Sequence, residues 1–141
     1  GARSLVKELG GHSFTISSEA KPLYHAAASV SSGHVTALFD LAIEMLEECG
    51  LTKRRAQQIL APLLASAVAN LGAKTPADAL AGPFARGDIA TIKKHLAAMK
   101  IKNMNEAVEV YSTLGLRAAR LAETTKRNRK SLEDIKNVLS R

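Results

Sequence analysis

Residues 12–33 read His12-Ser13-Phe14-Thr15-Ile16-Ser17-Ser18-Glu19-Ala20-Lys21-Pro22-Leu23-Tyr24-His25-Ala26-Ala27-Ala28-Ser29-Val30-Ser31-Ser32-Gly33, and the change of period inside them decides the fold class. Phe14 and Ile16 share a face at period two, which predicts one short strand. Nothing later in the chain resembles a second strand, and a lone strand has no partner for its backbone groups. From Ser17 onward the pattern is helical. Ser17 or Ser18 is the expected cap, and Pro22 falls in the first turn, where its missing N–H costs nothing. The helix is expected from about Glu19 to Glu48, stopped by Gly50, with Gly33 as a weak point or a place of close backbone approach. Helix then strand (residues 3–9, a stop at Gly10-Gly11, then 14–16) reads as the last unit of a sheet that is otherwise missing. The chain is therefore read as all-α from residue 18 to 141, with residues 1–17 the remnant of a preceding domain.

The remaining segments carry helix punctuation. Thr52 caps a helix to about Leu71, before Gly72, with Pro62 expected to kink or split it. Thr75-Pro76-Ala77-Asp78 is a start signal for a short helix that stops at Gly82-Pro83. Asp88 caps a helix from Ile89 to Met99. Asn103 or Asn105 starts a long one to about Thr125, and Ser131, with Asp134 three residues on, opens the last. The connections are short, as in helices packed as near neighbours.

Composition agrees with this class. Hydrophobic residues make up 46 % and aromatics 4 %, so the core must be largely aliphatic and alanine-rich. Such a core suits closely packed helices better than a sandwich or barrel. The single cysteine, Cys49, excludes an internal disulfide and reads as a small hydrophobe near a helix end. No Cys/His spacing matches a metal site. The longest uninterrupted apolar run, Ile59 to Ala69, contains Pro62 and falls short of the ~20 residues that span a bilayer. No leader sequence is evident, so a cytoplasmic location is expected. The net charge of +7 is one-sided: residues 1–92 hold 8 Lys/Arg and 8 Asp/Glu, residues 93–141 hold 12 and 5. The densest part, Lys126, Arg127, Arg129 and Lys130, is placed in a linker and has no interleaved aromatics to stack bases, which argues against a nucleic-acid surface.

Two stretches could carry chemistry. In the first, His25, Ser29, Ser32 and Thr36 stand at i, i+4, i+7 and i+11 and form a polar stripe on an apolar helix. Such a stripe fits the wall of a cleft that holds a polar ligand, with His25 titrating in the range needed to move a proton to a carbonyl or imine. The plainer alternative is that the hydroxyls bond back to the helix's own carbonyls and that His25 is a hydrogen-bonded core residue. The second stretch is Leu80-Ala81-Gly82-Pro83-Phe84-Ala85-Arg86-Gly87-Asp88. Its turn brings Arg86 to a helix start, where it either pairs with a nearby carboxylate or clamps a substrate carboxylate or phosphate. His95 reads as a surface or packing residue, and Tyr111 as core with its hydroxyl at the edge. There is no phosphate-cradling glycine motif, no GxSxG elbow and no carboxylate cluster.

Lys21-Pro22-Leu23-Tyr24-His25-Ala26-Ala27-Ala28, then residues 80–88 with Thr91 and His95-Leu96, then Val110-Tyr111-Ser112-Thr113-Leu114-Gly115, resemble a known helical family in that order and separation. It is the C-terminal domain of the "Rossmann-like and domain of unknown function 2520" proteins, and the resemblance covers about residues 12–125. It implies a helical bundle like the C-terminal domain of 6-phosphogluconate dehydrogenase, following an N-terminal Rossmann domain that binds NAD or NADP. The strand at 14–16 would then be left over from that Rossmann domain. The helical domain in such oxidoreductases closes the substrate cleft and commonly forms the homodimer interface. By position His25 would be the catalytic residue, and Ser29, Ser32 and Arg86 would bind a small-molecule substrate. This chain alone would bind no cofactor, because it holds no dinucleotide fingerprint, and would be inactive alone. The alternatives are a non-enzymatic helical module that dimerises or binds a protein and, less well supported, a basic nucleic-acid-binding module.

Overall fold

The computed structural model describes residues 14–124 and 129–140. Among the described residues every regular element is a helix: α1 (Lys21–Ser31), α2 (Gly33–Glu47), α3 (Lys53–Ala73), α4 (Pro76–Ala79), α5 (Pro83–Arg86), α6 (Ile89–Ile101), α7 (Asn105–Glu123) and α8 (Arg129–Leu139). The chain is all-α, as the sequence pattern requires. Phe14–Ile16 is not a strand. Its backbone has no neighbouring strand to pair with, and a ladder cannot form with one member. The expected helix end at residues 3–9 and its glycine stop lie outside the described residues. The helices fall into two compact units, one ending at Asp40 and the other beginning at Leu41 within α2.

In the first unit the expected long helix is present but interrupted. Ser17 caps one turn early: its Oγ accepts the Ala20 N–H at 3.3 Å, and α1 begins at Lys21 with Pro22 in its first turn. At Ser32 the backbone leaves helical geometry (φ −125°, ψ −68°). Ser31 and Ser32 Oγ both donate to the Ala28 carbonyl, at 3.1 and 2.8 Å. Hydroxyls that compete for a helix's own carbonyls weaken it, and Gly33 adds nothing to hold the next turn. No atom comes within 4 Å of where a Cβ on Gly33 would sit, so no close approach explains this glycine. Lys21–Glu47 corrects one expectation. Over its best 18 residues the mean hydropathy is 1.2 with 6 % of that window buried, long and apolar enough by length and composition to cross a membrane. A search for uninterrupted apolar runs misses this segment, because its few serines and histidines are outweighed only on averaging.

In the second unit α3 runs unbroken through Pro62 to Ala73, so the expected split does not occur and Gly72 lies inside the last turn. Proline removes the hydrogen bond to the Gln58 carbonyl; both residues are exposed, so water can take that carbonyl. Thr52 Oγ1 caps α3 through the Arg55 N–H at 3.3 Å. Thr75 caps α4 as expected, its Oγ1 accepting the Asp78 N–H at 3.3 Å and donating to Asp78 Oδ2 at 2.7 Å. α6 ends at Ile101, and Asn103 takes the left-handed conformation (φ 57°) that terminates helices. α7 therefore starts at Asn105 with no side-chain cap. α8 begins at Arg129, which places Ser131 inside it, and Arg129 and Lys130 are helical, not linker. Cys49 is exposed in the turn after α2, contrary to the packing role expected for it.

The core of this unit is built around α7, which packs against α4, α5, α6 and α8. Ile92, Leu96 and Met99 of α6, Ala107 and Ala119 of α7, and Ile135 and Leu139 of α8 form one buried cluster. Small residues on α7 let its neighbours approach closely. α3 is different. Ala56 is its one buried residue among those described, while Leu63, Val68 and Leu71 are more than half exposed.

Candidate functional site

The first unit places His25 on the wall of an open groove of ≈ 670 Å³ lined by Phe14, Ile16, Lys21, Pro22, Tyr24 and His25. The Phe14 and Tyr24 rings meet at 5.4 Å, tilted by 56°, and anchor the segment before α1 to the helix. His25 is exposed. The remainder of the stripe follows the plainer alternative. Ser29 Oγ donates to the His25 carbonyl at 3.0 Å, Ser32 Oγ to the Ala28 carbonyl at 2.8 Å, and Thr36 Oγ1 to the Ser32 carbonyl at 3.2 Å. Each hydroxyl proton is thereby committed, and what these exposed oxygens still offer is acceptor capacity. Neither Ser29 nor Ser32 lines the groove. Around His25 the surface is apolar and uncovered: Leu23 is 76 % exposed, Val30 56 % and Tyr24 51 %.

The second unit holds Arg86. The segment 80–88 is more ordered than turn punctuation implies: Pro83–Arg86 makes one helical turn between Gly82 (φ 88°) and Gly87 (φ 66°), both left-handed positions that suit glycine. Asp88 then caps α6. Its Oδ1 accepts the Thr91 N–H at 3.0 Å and its Oδ2 the Thr91 hydroxyl at 2.7 Å. These two bonds to Thr91, with smaller help from the charges of Arg86 and Lys94, hold the Asp88 carboxyl below the usual carboxylate range. Arg86 is exposed and makes no direct ion pair with a carboxylate among the described residues.

A depressed folded-state pKa means that Asp88 stabilises the fold above the unfolded carboxylate pKa of about 3.9 and loses that contribution as pH falls through the folded value. Asp88→Asn, which keeps a capping oxygen but removes the charge, is expected to melt below the wild type at neutral pH. The gap closes on acidification below about pH 4. A gap that persists unchanged at pH 2 to 3 would show that the charge is not responsible.

Sequence reasoning missed one juxtaposition. His95 Nδ1 and the Tyr111 hydroxyl lie 2.9 Å apart, a hydrogen bond between α6 and α7. The rings meet edge-on at 5.8 Å and 78°. On its other side Tyr111 packs against Phe84 of α5, with ring centroids 5.3 Å apart. Phe84 fits there because α7 carries Gly115: a Cβ at that position would stand 2.5 Å from Phe84 Cζ. Burial pushes the Tyr111 phenol above its ordinary pKa, so it is protonated at neutral pH. The available signal was Gly115 one turn after Tyr111, a small residue that makes room beside an aromatic ring. The register between α6 and α7 that joins it to His95 is a property of packing alone.

His25, Ser29 and Ser32 thus belong to the first unit, and Arg86, His95 and Tyr111 to the second. No group of three His, Cys, Asp or Glu side chains among the described residues could hold a metal ion. The family described as Domain of unknown function (DUF2520) matches residues 1–118. No curated protein and no solved structure matches.

Proposed function

This chain belongs to the domain of unknown function 2520 family, and from that premise we propose that it is the substrate-binding and dimerisation domain of an NAD(P)-dependent oxidoreductase. The observation that carries the reading is the setting of His25: a titratable imidazole in a groove whose surrounding large apolar side chains are uncovered. An apolar surface of this kind serves a partner surface that closes over it, and closure would leave the imidazole as a proton source in a dry cleft. In this reading a Rossmann domain of the same protein would bind NAD or NADP, whose chemistry when bound would be hydride transfer to a carbonyl or imine carbon. His25 gives the proton and Ser29 and Ser32 accept hydrogen bonds from the substrate; Arg86, in the second unit, is the candidate there for binding an anionic group. The exposed faces of α1 and α3 serve a cytoplasmic homodimer.

The full gene product that carries this domain is the protein to test. Titration with NADPH and NADH, followed by nicotinamide fluorescence, is expected to show saturable binding of one of them. Neither binding would end the reading. In the binding-competent protein His25→Ala is expected to lower reduction by about 10²–10⁴-fold with nicotinamide affinity unchanged. A His25→Ala protein as active as the wild type removes the catalytic role of His25 and leaves the domain assignment intact.

A second reading rests on the uncovered apolar face of α3, with Leu63, Val68 and Leu71 exposed: a helical module that only dimerises. It predicts the same dimer by light scattering but no nicotinamide binding in any longer form of the protein.

A further inference from the structure

We propose that the groove between α6 and α8 is a binding site for a small amphipathic anion, an anionic head group joined to an extended apolar tail. The site lies within the second unit, shares no residue with the groove at His25 and does not depend on nicotinamide binding. Its volume is ≈ 670 Å³, inside the range of about 300–1,000 Å³ usual for small-molecule sites. The floor is apolar. Leu96 belongs to the buried core, Ile89 and Val138 pack against it, and Ala97 is exposed with nothing beyond its Cβ to fill the space. From Ile89 to Lys100 the lining follows one face of α6 for roughly 16 Å, a trough suited to an extended tail. α8 lies beyond residue 118, where the family match ends, so that match does not account for the groove.

The walls decide the charge of the occupant. Lys93 and Lys100 line the groove from α6, Asp134 and Asn137 from α8. Neither lysine makes an ion pair among the described residues, whereas Lys102 pairs with Glu48 at 3.4 Å and Lys136 with Glu133 at 2.8 Å. Two unpaired ammonium groups thus stand against one carboxylate. The charge excess of the chain falls on the same stretch, residues 93–141 holding 12 Lys/Arg and 5 Asp/Glu, and such a field draws anions in. Lysine stems lie along apolar surface and carry their charge at its rim. A bare anion gains little from exposed ammonium groups, and an uncharged tail leaves them unused. An amphipathic anion uses both: Lys93, Lys100 and the Asn137 amide are donors to its head group, and its tail displaces water from Leu96, Ala97 and Val138. Asp134, which only accepts, is the one lining group that opposes it.

Isothermal titration calorimetry of the full gene product with decanoate, decanol and inorganic phosphate tests the site. Decanoate is expected to bind saturably and more weakly as salt rises, with decanol and phosphate each several-fold weaker. Lys93→Gln and Lys100→Gln are each expected to weaken decanoate about two- to fivefold, and Asp134→Asn to strengthen it by a similar factor. Ala97→Trp, which fills the groove from an exposed position, is expected to abolish binding with a melting temperature close to wild type. Lys94→Gln, on the same helix but outside the lining, is expected to change nothing. No binding of decanoate overturns the proposal. So does decanol or phosphate binding as well as decanoate, since the surface would then be merely apolar or merely charged. Binding that the Lys93, Lys100 and Asp134 variants leave unchanged, or that falls instead with Lys21→Gln in the groove at His25, overturns it as well. A wild type that binds decanoate in this way but neither NADPH nor NADH keeps this site and ends the oxidoreductase reading alone.

Discussion

A chain cut after Thr124 is expected to lose the cooperative fold of its second unit. The family match ends at residue 118, yet the core does not. Ala119 of α7 and Ile135 and Leu139 of α8 belong to the same buried cluster as Ile92, Leu96 and Met99. Ile135 is 2 % exposed and Leu139 9 %. Truncating a side chain such as either of these to alanine costs about 2–5 kcal/mol. Removing both, together with the helix that carries them, approaches the whole stability of an ordinary domain, about 5–15 kcal/mol. It would also uncover the small-residue face of α7 at Gly115 and Ala119. Far-UV circular dichroism with thermal melting checks this. The expected result is a shallow melt with loss of helix well beyond α8 itself. A truncated chain that melts cooperatively within a few degrees of the intact one would show that α8 is an accessory to this core. Ile135→Ala serves as the milder companion, expected to remain folded and to melt lower.

The helices were legible because their signals are local. Thr52, Thr75 and Asp88 cap where side-chain oxygen, spacing and the following residues demand. The errors arise where one local signal meets another or where tertiary context decides. Ser29, Ser31, Ser32 and Gly33 together interrupt a helix that no one of them would break. Pro62 was expected to kink or split α3, and the helix nevertheless runs continuously through it with one backbone hydrogen bond missing. Of Asn103 and Asn105, either of which was expected to start the next helix, Asn105 does so, while Asn103 ends the preceding helix through its tolerance of positive φ. At the site, the stripe's spacing was readable but not the direction of its hydroxyls, because back-bonding and ligand-facing rotamers share the same sequence. The Tyr111–His95 pair was hidden for a different reason: two side chains sixteen residues apart on different helices meet only once α6 and α7 have a register, and that register is set by buried side chains such as Ile92 and Ala107.

The second large effect is expected at Gly115, and it separates helix propensity from packing. On an exposed helix, glycine to alanine gains about 1 kcal/mol. At Gly115 the new Cβ would lie 2.5 Å from Phe84 Cζ, 2.7 Å from Phe84 Cε1 and 3.1 Å from Leu139 Cδ1. The ring cannot yield freely, because its other contact is Tyr111 at 5.3 Å between centroids. Overpacking of this kind costs about 1–3 kcal/mol, which exceeds or cancels the propensity gain, so Gly115→Ala is expected to be neutral to destabilising by about 2 kcal/mol. Gly115→Leu, which adds a branched side chain to the same space, is expected to cost about 3 kcal/mol or more. A double-mutant cycle makes the cause explicit. In a Phe84→Ala background the obstructing ring is gone, and Gly115→Ala is expected to become stabilising, with the helix propensity restored as the surviving contribution. Denaturant melts of the four proteins measure the coupling. If Gly115→Ala changes stability equally with and without the Phe84 ring, close packing does not account for the glycine, and the seat of Tyr111 on Phe84 is looser than the distances imply.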